Sequence, residues 1–122
     1  MKLLIVDDSM IIRNRIARVL EDPRMSHIRV VGMAPNGVDA IELFKMHKPK
    51  LVTMDITMPE MDGVECTEQM VRLNPDCNIL VVSALSDKAT ALKALIKGAR
   101  GFIYKPFSDE QLINAFVELT NS

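Results

Sequence analysis

The chain has 122 residues, with 15 Lys and Arg against 16 Asp and Glu, a formal net charge of −1 and 48% hydrophobic residues. This length fits one domain with a hydrophobic core, and the composition excludes disordered, collagen-like and disulfide-scaffold proteins. A charge so close to zero argues against a strongly basic nucleic-acid binder. We therefore expect a single domain over residues 1–122 that does not bind nucleic acid directly.

Short apolar runs alternate along the chain with longer segments of helical spacing. The runs are rich in Val, Ile and Leu without polar alternation, which is typical of strands buried on both faces. In chain order the predicted elements are strand 3–6, helix 9–21, strand 28–33, helix 37–47, strand 51–54, helix 62–73, strand 79–82, helix 87–97, strand 102–104 and helix 108–120.

Capping signals support the helix boundaries. Asp62 and Glu65 have the spacing of an N-cap residue and its partner, and Ser108 and Gln111 have that of a capping box. Gly98 is a typical C-terminal stop for the fourth helix. The apolar residues that align along that fourth helix are Leu92, Leu95 and Ile96.

Five strands alternating with five helices predict an α/β fold of (βα)5 type. Parallel strands joined by right-handed helical crossovers form one doubly wound sheet with helices on both faces. The carboxyl ends of parallel strands share one edge, and ligands of open α/β sheets bind there.

Polar residues close four of the predicted strands. Asp7 and Asp8 follow the first, Asp55 the third, Ser83 the fourth and Lys105 the fifth. Three clustered carboxylates repel one another, which costs stability unless a cation or protonation relieves it, and Mg²⁺ prefers such oxygen ligands. A lysine and a hydroxyl beside them suit phosphate oxygens. This combination is typical of phosphoryl transfer with a carboxylate nucleophile.

Four separated motifs around these residues resemble the CheY-like receiver domain of bacterial two-component response regulators, in the same order and over the whole chain. The motifs are Ile-Val-Asp7-Asp8-Ser, Met54-Asp55-Ile-Thr-Met58-Pro59-Glu-Met-Asp62-Gly63, Val-Ser83-Ala84 and Tyr104-Lys105-Pro106-Phe107. The resemblance implies the flavodoxin-like strand order 2-1-3-4-5 and a stand-alone receiver domain without an output domain.

The resemblance also implies the roles of the acidic residues. Asp55 would be the phosphoacceptor, taking a phosphoryl group from a phosphohistidine of a sensor histidine kinase. Asp8, Asp55 and the backbone carbonyl of Thr57 would ligate Mg²⁺, whereas Asp7 would act mostly through bound water.

The remaining implied roles concern catalysis and switching. Lys105 would pair with the phosphate, and the Lys105–Pro106 peptide would be cis. Ser83 would move toward the phosphate, and Phe102 would then turn inward. Activation would change partner binding through the surface formed by the fourth helix, fifth strand and fifth helix. In the family, Thr is commoner than Ser at the position of Ser83, and Tyr is common at the position of Phe102. We expect the phosphoryl chemistry to persist and make no prediction of how strongly it is coupled to the switch.

We find no pattern typical of export or membrane insertion. The apolar run after Lys2 stops at Asp7, too soon for the hydrophobic region of a signal peptide. The only two cysteines, Cys66 and Cys77, lack the spacing of a zinc site. We expect a cytoplasmic protein with reduced thiols.

The resulting hypothesis is a monomeric signalling switch that catalyses only its own phosphorylation and dephosphorylation. Its partners would be the kinase and a downstream protein, such as a flagellar switch component in chemotaxis or a relay protein. The alternatives are a receiver fragment of a longer regulator, a receiver that has lost its chemistry and only binds partners, and a haloacid-dehalogenase-like phosphatase. Those phosphatases have a second Asp two residues after the nucleophile, where this chain has Thr57.

Overall fold

A parallel β-sheet between two helical layers forms the centre of the computed structural model, which describes residues 1–58 and 60–120. Pro59 of the second motif, Asn121 and Ser122 lie outside the described residues. The five strands run in the order β2-β1-β3-β4-β5, and all neighbouring pairs are parallel, which confirms the predicted topology. Their bounds are β1 Lys2–Val6, β2 Arg29–Ala34, β3 Leu51–Asp55, β4 Asn78–Ala84 and β5 Gly101–Lys105.

Within the described ranges, five α-helices connect and follow these strands, as predicted. Their bounds are α1 Met10–Val19, α2 Gly37–His47, α3 Gly63–Leu73, α4 Lys88–Ile96 and α5 Asp109–Thr120. The first is shorter than the predicted 9–21 at both ends. Ser9 lies outside it and caps it by accepting a hydrogen bond from the backbone N–H of Ile12 (3.3 Å), and the helix ends at Val19 with Leu20 as its C-cap. One-turn 3₁₀ helices lie at Pro23–Met25 and Leu85–Asp87.

Alternate residues of the strands face opposite hydrophobic clusters. Leu3 and Ile5 of β1 contribute to the cluster with α1 and α5, whereas Leu4 and Val6 contribute to the cluster with α2, α3 and α4. Burial of both faces explains the continuous apolar runs of the sequence. Among the described residues, no helix is long and apolar enough to cross a membrane.

The predicted helix caps are present. Ser108 and Gln111 form the reciprocal bonds of a capping box, 2.8 Å and 3.1 Å long. Asp62 accepts from the backbone N–H of Glu65 at 2.9 Å. After α4, Gly98 adopts φ +121°, a conformation that favours glycine and ends the helix as predicted.

The aligned apolar residues of α4 do not form its buried face. Ala91 and Ala94 are buried, whereas Leu92 is 48% and Ile96 82% exposed. Leu95 is partly buried against the neighbouring cluster. The fully buried positions of α4 are therefore two small alanines, whereas Leu92 and Ile96 lie on its outer side.

The two cysteines are free and buried, as predicted. Burial raises the pKa of the Cys66 thiol to about 12 and raises that of Cys77. Both therefore remain protonated near neutral pH.

The buried hydroxyl of Thr53 generates a stability prediction. Thr53 lies in β3, is 1% exposed, and has no partner for its hydroxyl among the described residues. Replacement by a methyl group in Thr53→Val should raise the free energy of unfolding by about 1 kcal/mol, because an unpaired buried polar group is removed. Urea denaturation measures this change, with Thr53→Ser, which retains the hydroxyl, as the control. A less stable Thr53→Val would contradict the prediction.

Candidate functional site

Three carboxylates converge at the carboxyl edge of the sheet. Asp7, Asp8 and Asp55 each offer an oxygen that lies within 4.8 Å of the others. Val6 of β1 pairs with Met54 of β3, so the next residues on these adjacent strands are side by side. Asp7 is 1% and Asp55 5% exposed, whereas Asp8 is open to solvent.

Lys105 extends to the same cluster from the last position of β5. Its Nζ lies 2.9 Å from Asp7 Oδ2 and 3.5 Å from Asp55 Oδ1. Burial lowers the pKa of Lys105, but the contact with Asp7 and the charge of Asp55 outweigh it and leave this pKa raised. The lysine is therefore cationic. The Lys105–Pro106 peptide bond is cis.

The negative charge of the cluster is only partly balanced. Burial and the charge of Asp7 raise the pKa of Asp55 to about 7, and Lys105 opposes them. Asp8 makes a smaller contribution to the same rise in pKa. A set of carboxylate oxygens with an unmet need for positive charge fits a hard cation such as Mg²⁺.

The N-cap residue of α1 and Arg13 within the helix fix the position of Asp7. The side chain of Asp7 accepts a hydrogen bond from the backbone N–H of Ser9 at 2.9 Å. Arg13 Nη1 donates to the Asp7 backbone carbonyl at 2.6 Å. The sequence pattern did not identify Arg13. Its position in the first turns of the helix that follows the acidic pair is the feature that could have pointed to it.

The loop after β3 folds back over the end of the strand. The Gly63 N–H donates to the Ile56 carbonyl at 2.8 Å, and a Cβ at Gly63 would lie only 2.3 Å from the Asp55 carbonyl oxygen. Glycine is therefore required at this start of α3. Thr57 is exposed, and its hydroxyl donates to Asp87 Oδ2 at 3.3 Å, a contact that sequence reasoning missed.

Ser83 and Phe102 lie on the neighbouring strands. Ser83 is inside β4, one residue beyond Val82, the partner of Asp55 in β3. Ser83 is 1% exposed, and its Oγ has no hydrogen-bond partner in the described part of the chain. Phe102 is 38% exposed and packs edge-on against Tyr104, with ring centroids 5.3 Å apart.

Comparisons with known proteins agree on one family. A family model described as the response regulator receiver domain matches residues 3–117. The chemotaxis protein CheY of Listeria monocytogenes is 40% identical over 115 residues, which are 94% of each chain.

Solved structures are similar in fold over nearly the whole chain. The receiver domain of AraT from Geobacillus stearothermophilus is 27% identical with a TM-score of 0.91, covering 98% of this chain and 92% of that one. A CheX–CheY–BeF₃–Mg²⁺ complex from Borrelia burgdorferi includes a chain that is 28% identical with a TM-score of 0.88, covering 97% of this chain and 87% of that one.

Removal of the Asp55 charge should stabilise the metal-free protein. Asp55→Asn is expected to raise the free energy of unfolding by about 2 to 4 kcal/mol at about pH 8 in a chelator, because a buried, repelled carboxylate is lost. The gain should shrink at lower pH. The pKa of Asp55 rises from 3.8 to about 7 on folding, so the wild-type folded state binds a proton and is itself stabilised as the pH falls through this interval.

Denaturation in urea across this pH range measures the effect. Asp62→Asn is the matched control, since Asp62 is exposed and Asn is an equally good helix cap. Equal responses of the two variants would contradict the prediction.

Proposed function

The chain belongs to the family of response regulator receiver domains, and we propose that it is a phosphoacceptor switch of the chemotaxis type in which Asp55 takes a phosphoryl group from a sensor histidine kinase. The convergence of Asp7, Asp8, Asp55 and Lys105 at one edge of the sheet carries this proposal. Receiver domains of this family are signalling switches, and the relatives named above include chemotaxis proteins.

In the proposed reaction, an oxygen of the Asp55 carboxylate attacks the phosphorus of the kinase phosphohistidine. An O–P bond forms while the N–P bond breaks, and the electron pair of the broken bond returns to the imidazole nitrogen. Asp55 must be ionised for this attack, and the nearby Lys105 ammonium opposes the effect of burial on its pKa. The same ammonium would pair with the oxygens of the transferred group.

Mg²⁺ fits the oxygen donors of this site. Asp8, Asp55 and the backbone carbonyl of Thr57 would hold it, and Asp7 would contribute mostly through bound water. The ion would supply positive charge against the repulsion between the carboxylates and phosphoryl oxygens. The burial of Asp7 and its contact with Lys105 support its separate role.

The proposed switch links Ser83 to the outer surface. A buried hydroxyl without a partner is costly, so Ser83 would gain a hydrogen bond on moving toward the phosphoryl group. Phe102, exposed beside Tyr104, would then turn inward.

The partner surface is proposed to comprise α4, β5 and α5. Apolar side chains of Leu92, Ile96, Phe102 and Val117 are exposed on these elements. The similar Borrelia burgdorferi chain occurs in a complex with CheX, which supports recognition by another protein. The downstream partner of this chain would be a flagellar switch component or a relay protein.

Phosphorylation tests this function directly. Incubation with acetyl phosphate and Mg²⁺ should add one phosphoryl group to Asp55, as measured by intact-protein and peptide mass spectrometry. Asp55→Asn should abolish the addition, and Lys105→Ala should slow it by about 100-fold because the charge that faces the phosphoryl oxygens is lost. Asp62→Asn should react like the wild type.

An unmodified wild-type protein, or modification that persists in Asp55→Asn, would overturn the proposal. Rapid turnover of simple phosphate monoesters would instead favour the haloacid-dehalogenase-like alternative. The presence of Thr57 in place of the second Asp of those enzymes argues against that outcome.

Tyr104 provides a probe of the switch, since it is the only tyrosine of the chain. Beryllium fluoride with Mg²⁺ should shift the Tyr104 ring resonances in NMR spectra, because the adjacent Phe102 ring would move away. Ser83→Ala should still bind beryllium fluoride but show a smaller shift. Thr67→Val is the control, because it removes another buried hydroxyl that has no partner among the described residues. An identical Tyr104 shift in Ser83→Ala would exclude Ser83 from the coupling.

A further inference from the structure

Arg15 of α1 contacts the segment that immediately follows Lys105. Its Nη2 donates a hydrogen bond to the backbone carbonyl of Phe107. The guanidinium carbon also lies 4.8 Å from the centroid of the Phe107 ring. The same Nη2 is 3.7 Å from Asp109 Oδ1 at the start of α5. One side chain thus binds both the carbonyl and the ring of a residue two positions after Lys105.

The segment from Lys105 to Ser108 has separate supports at its two ends. Lys105 pairs with Ala84 at the end of the β4–β5 ladder. Ser108 is fixed by its capping box with Gln111. Between these ends, Phe107 is 3% exposed and lies in the cluster shared with α1 and α5. Arg15 therefore supplies a polar contact from α1 to the middle of the connection.

The geometry of this contact indicates more than a surface ion pair. The side chains of Arg15 and Asp109 are 32% and 65% exposed, and exposed ion pairs add little stability. A guanidinium, however, can donate to a carbonyl and stack on a ring at once, which a lysine ammonium cannot do with the same directionality. The contact is suited to fixing the position and orientation of Phe107.

We propose that Arg15 is a positioning residue for Lys105. By fixing Phe107, Arg15 restrains the backbone from which Lys105 extends to Asp7 and Asp55, and so sets where the ammonium meets the oxygens of a phosphoryl group. This inference rests on the proposed function. The proposed metal ligands lie on the β1–α1 connection, at the last position of β3 and on the β3–α3 connection, so Arg15 has no direct role in binding Mg²⁺.

The test compares binding of Mg²⁺ alone with binding of beryllium fluoride in the presence of Mg²⁺. Isothermal titration calorimetry measures the metal, and ¹⁹F NMR measures beryllium fluoride. In Arg15→Gln and Arg15→Lys, the affinity for beryllium fluoride should fall about tenfold because the ammonium is misplaced. The affinity for Mg²⁺ should stay within about twofold of the wild type, since its oxygen ligands are unchanged.

Arg18→Gln and Arg18→Lys are matched controls on the same helix. Arg18 is exposed and has no ion pair among those found in the described residues. Both control variants should bind the two probes like the wild type. Circular dichroism and urea denaturation verify that all four variants are folded.

The outcomes are distinguishable. Unchanged beryllium fluoride affinity in both Arg15 variants, with normal binding by the wild type, overturns the positioning role alone. Wild-type affinity in Arg15→Lys together with loss in Arg15→Gln also overturns it, because positive charge would then be sufficient. Equal losses of Mg²⁺ and beryllium fluoride affinity would show general distortion of the site and likewise contradict it. No binding of beryllium fluoride by the wild type overturns the proposed function and this inference with it.

Discussion

The unequal balance of charge at the carboxyl edge of the sheet is the constraint on which the site depends. Asp7 and Asp55 are buried side by side, with Asp8 close by, and Lys105 provides positive charge against them. In this order of strands, β5 is three positions from β1, about 14 Å at the usual spacing. The Lys105 side chain contacts the residue that follows β1 and the last residue of β3. Its contacts join parts of the sheet that share no backbone hydrogen bonds.

Rigid packing makes this local imbalance tolerable. Both faces of the sheet are covered by apolar side chains, so the carboxylates cannot separate without disturbing the strands that carry them. Hydrogen bonds from Ser9, from the Arg13 side chain and from the backbone at the start of α3 fix the two loops that flank the cluster. The stability of the hydrophobic layers thereby offsets an arrangement of charges that is unfavourable by itself, as is common where a ligand supplies the missing charge.

The sequence was most informative where a feature depends on local pattern. Apolar runs and caps predicted the alternation of strands and helices, and strand ends predicted that the three aspartates and Lys105 meet. The strand order came from the family resemblance. Contacts such as Arg13 with the Asp7 carbonyl, or Thr57 with Asp87, depend on how separate segments pack and have no periodic signal. The buried face of α4 was also not predictable from the positions of its large apolar side chains, because the residues that are buried there are alanines.

The contact of Gly63 with Asp55 has a consequence for how mutations at this site are interpreted. Gly63 has no side chain and performs no chemistry, yet even a methyl group there would overlap the main chain of the residue that accepts the phosphoryl group in our proposal. In a comprehensive mutational scan, this position would be scored as intolerant as the acidic residues themselves. Intolerance at Gly63 would reflect the space available between two segments of backbone, and a loss of function there would be no evidence of contact with a substrate.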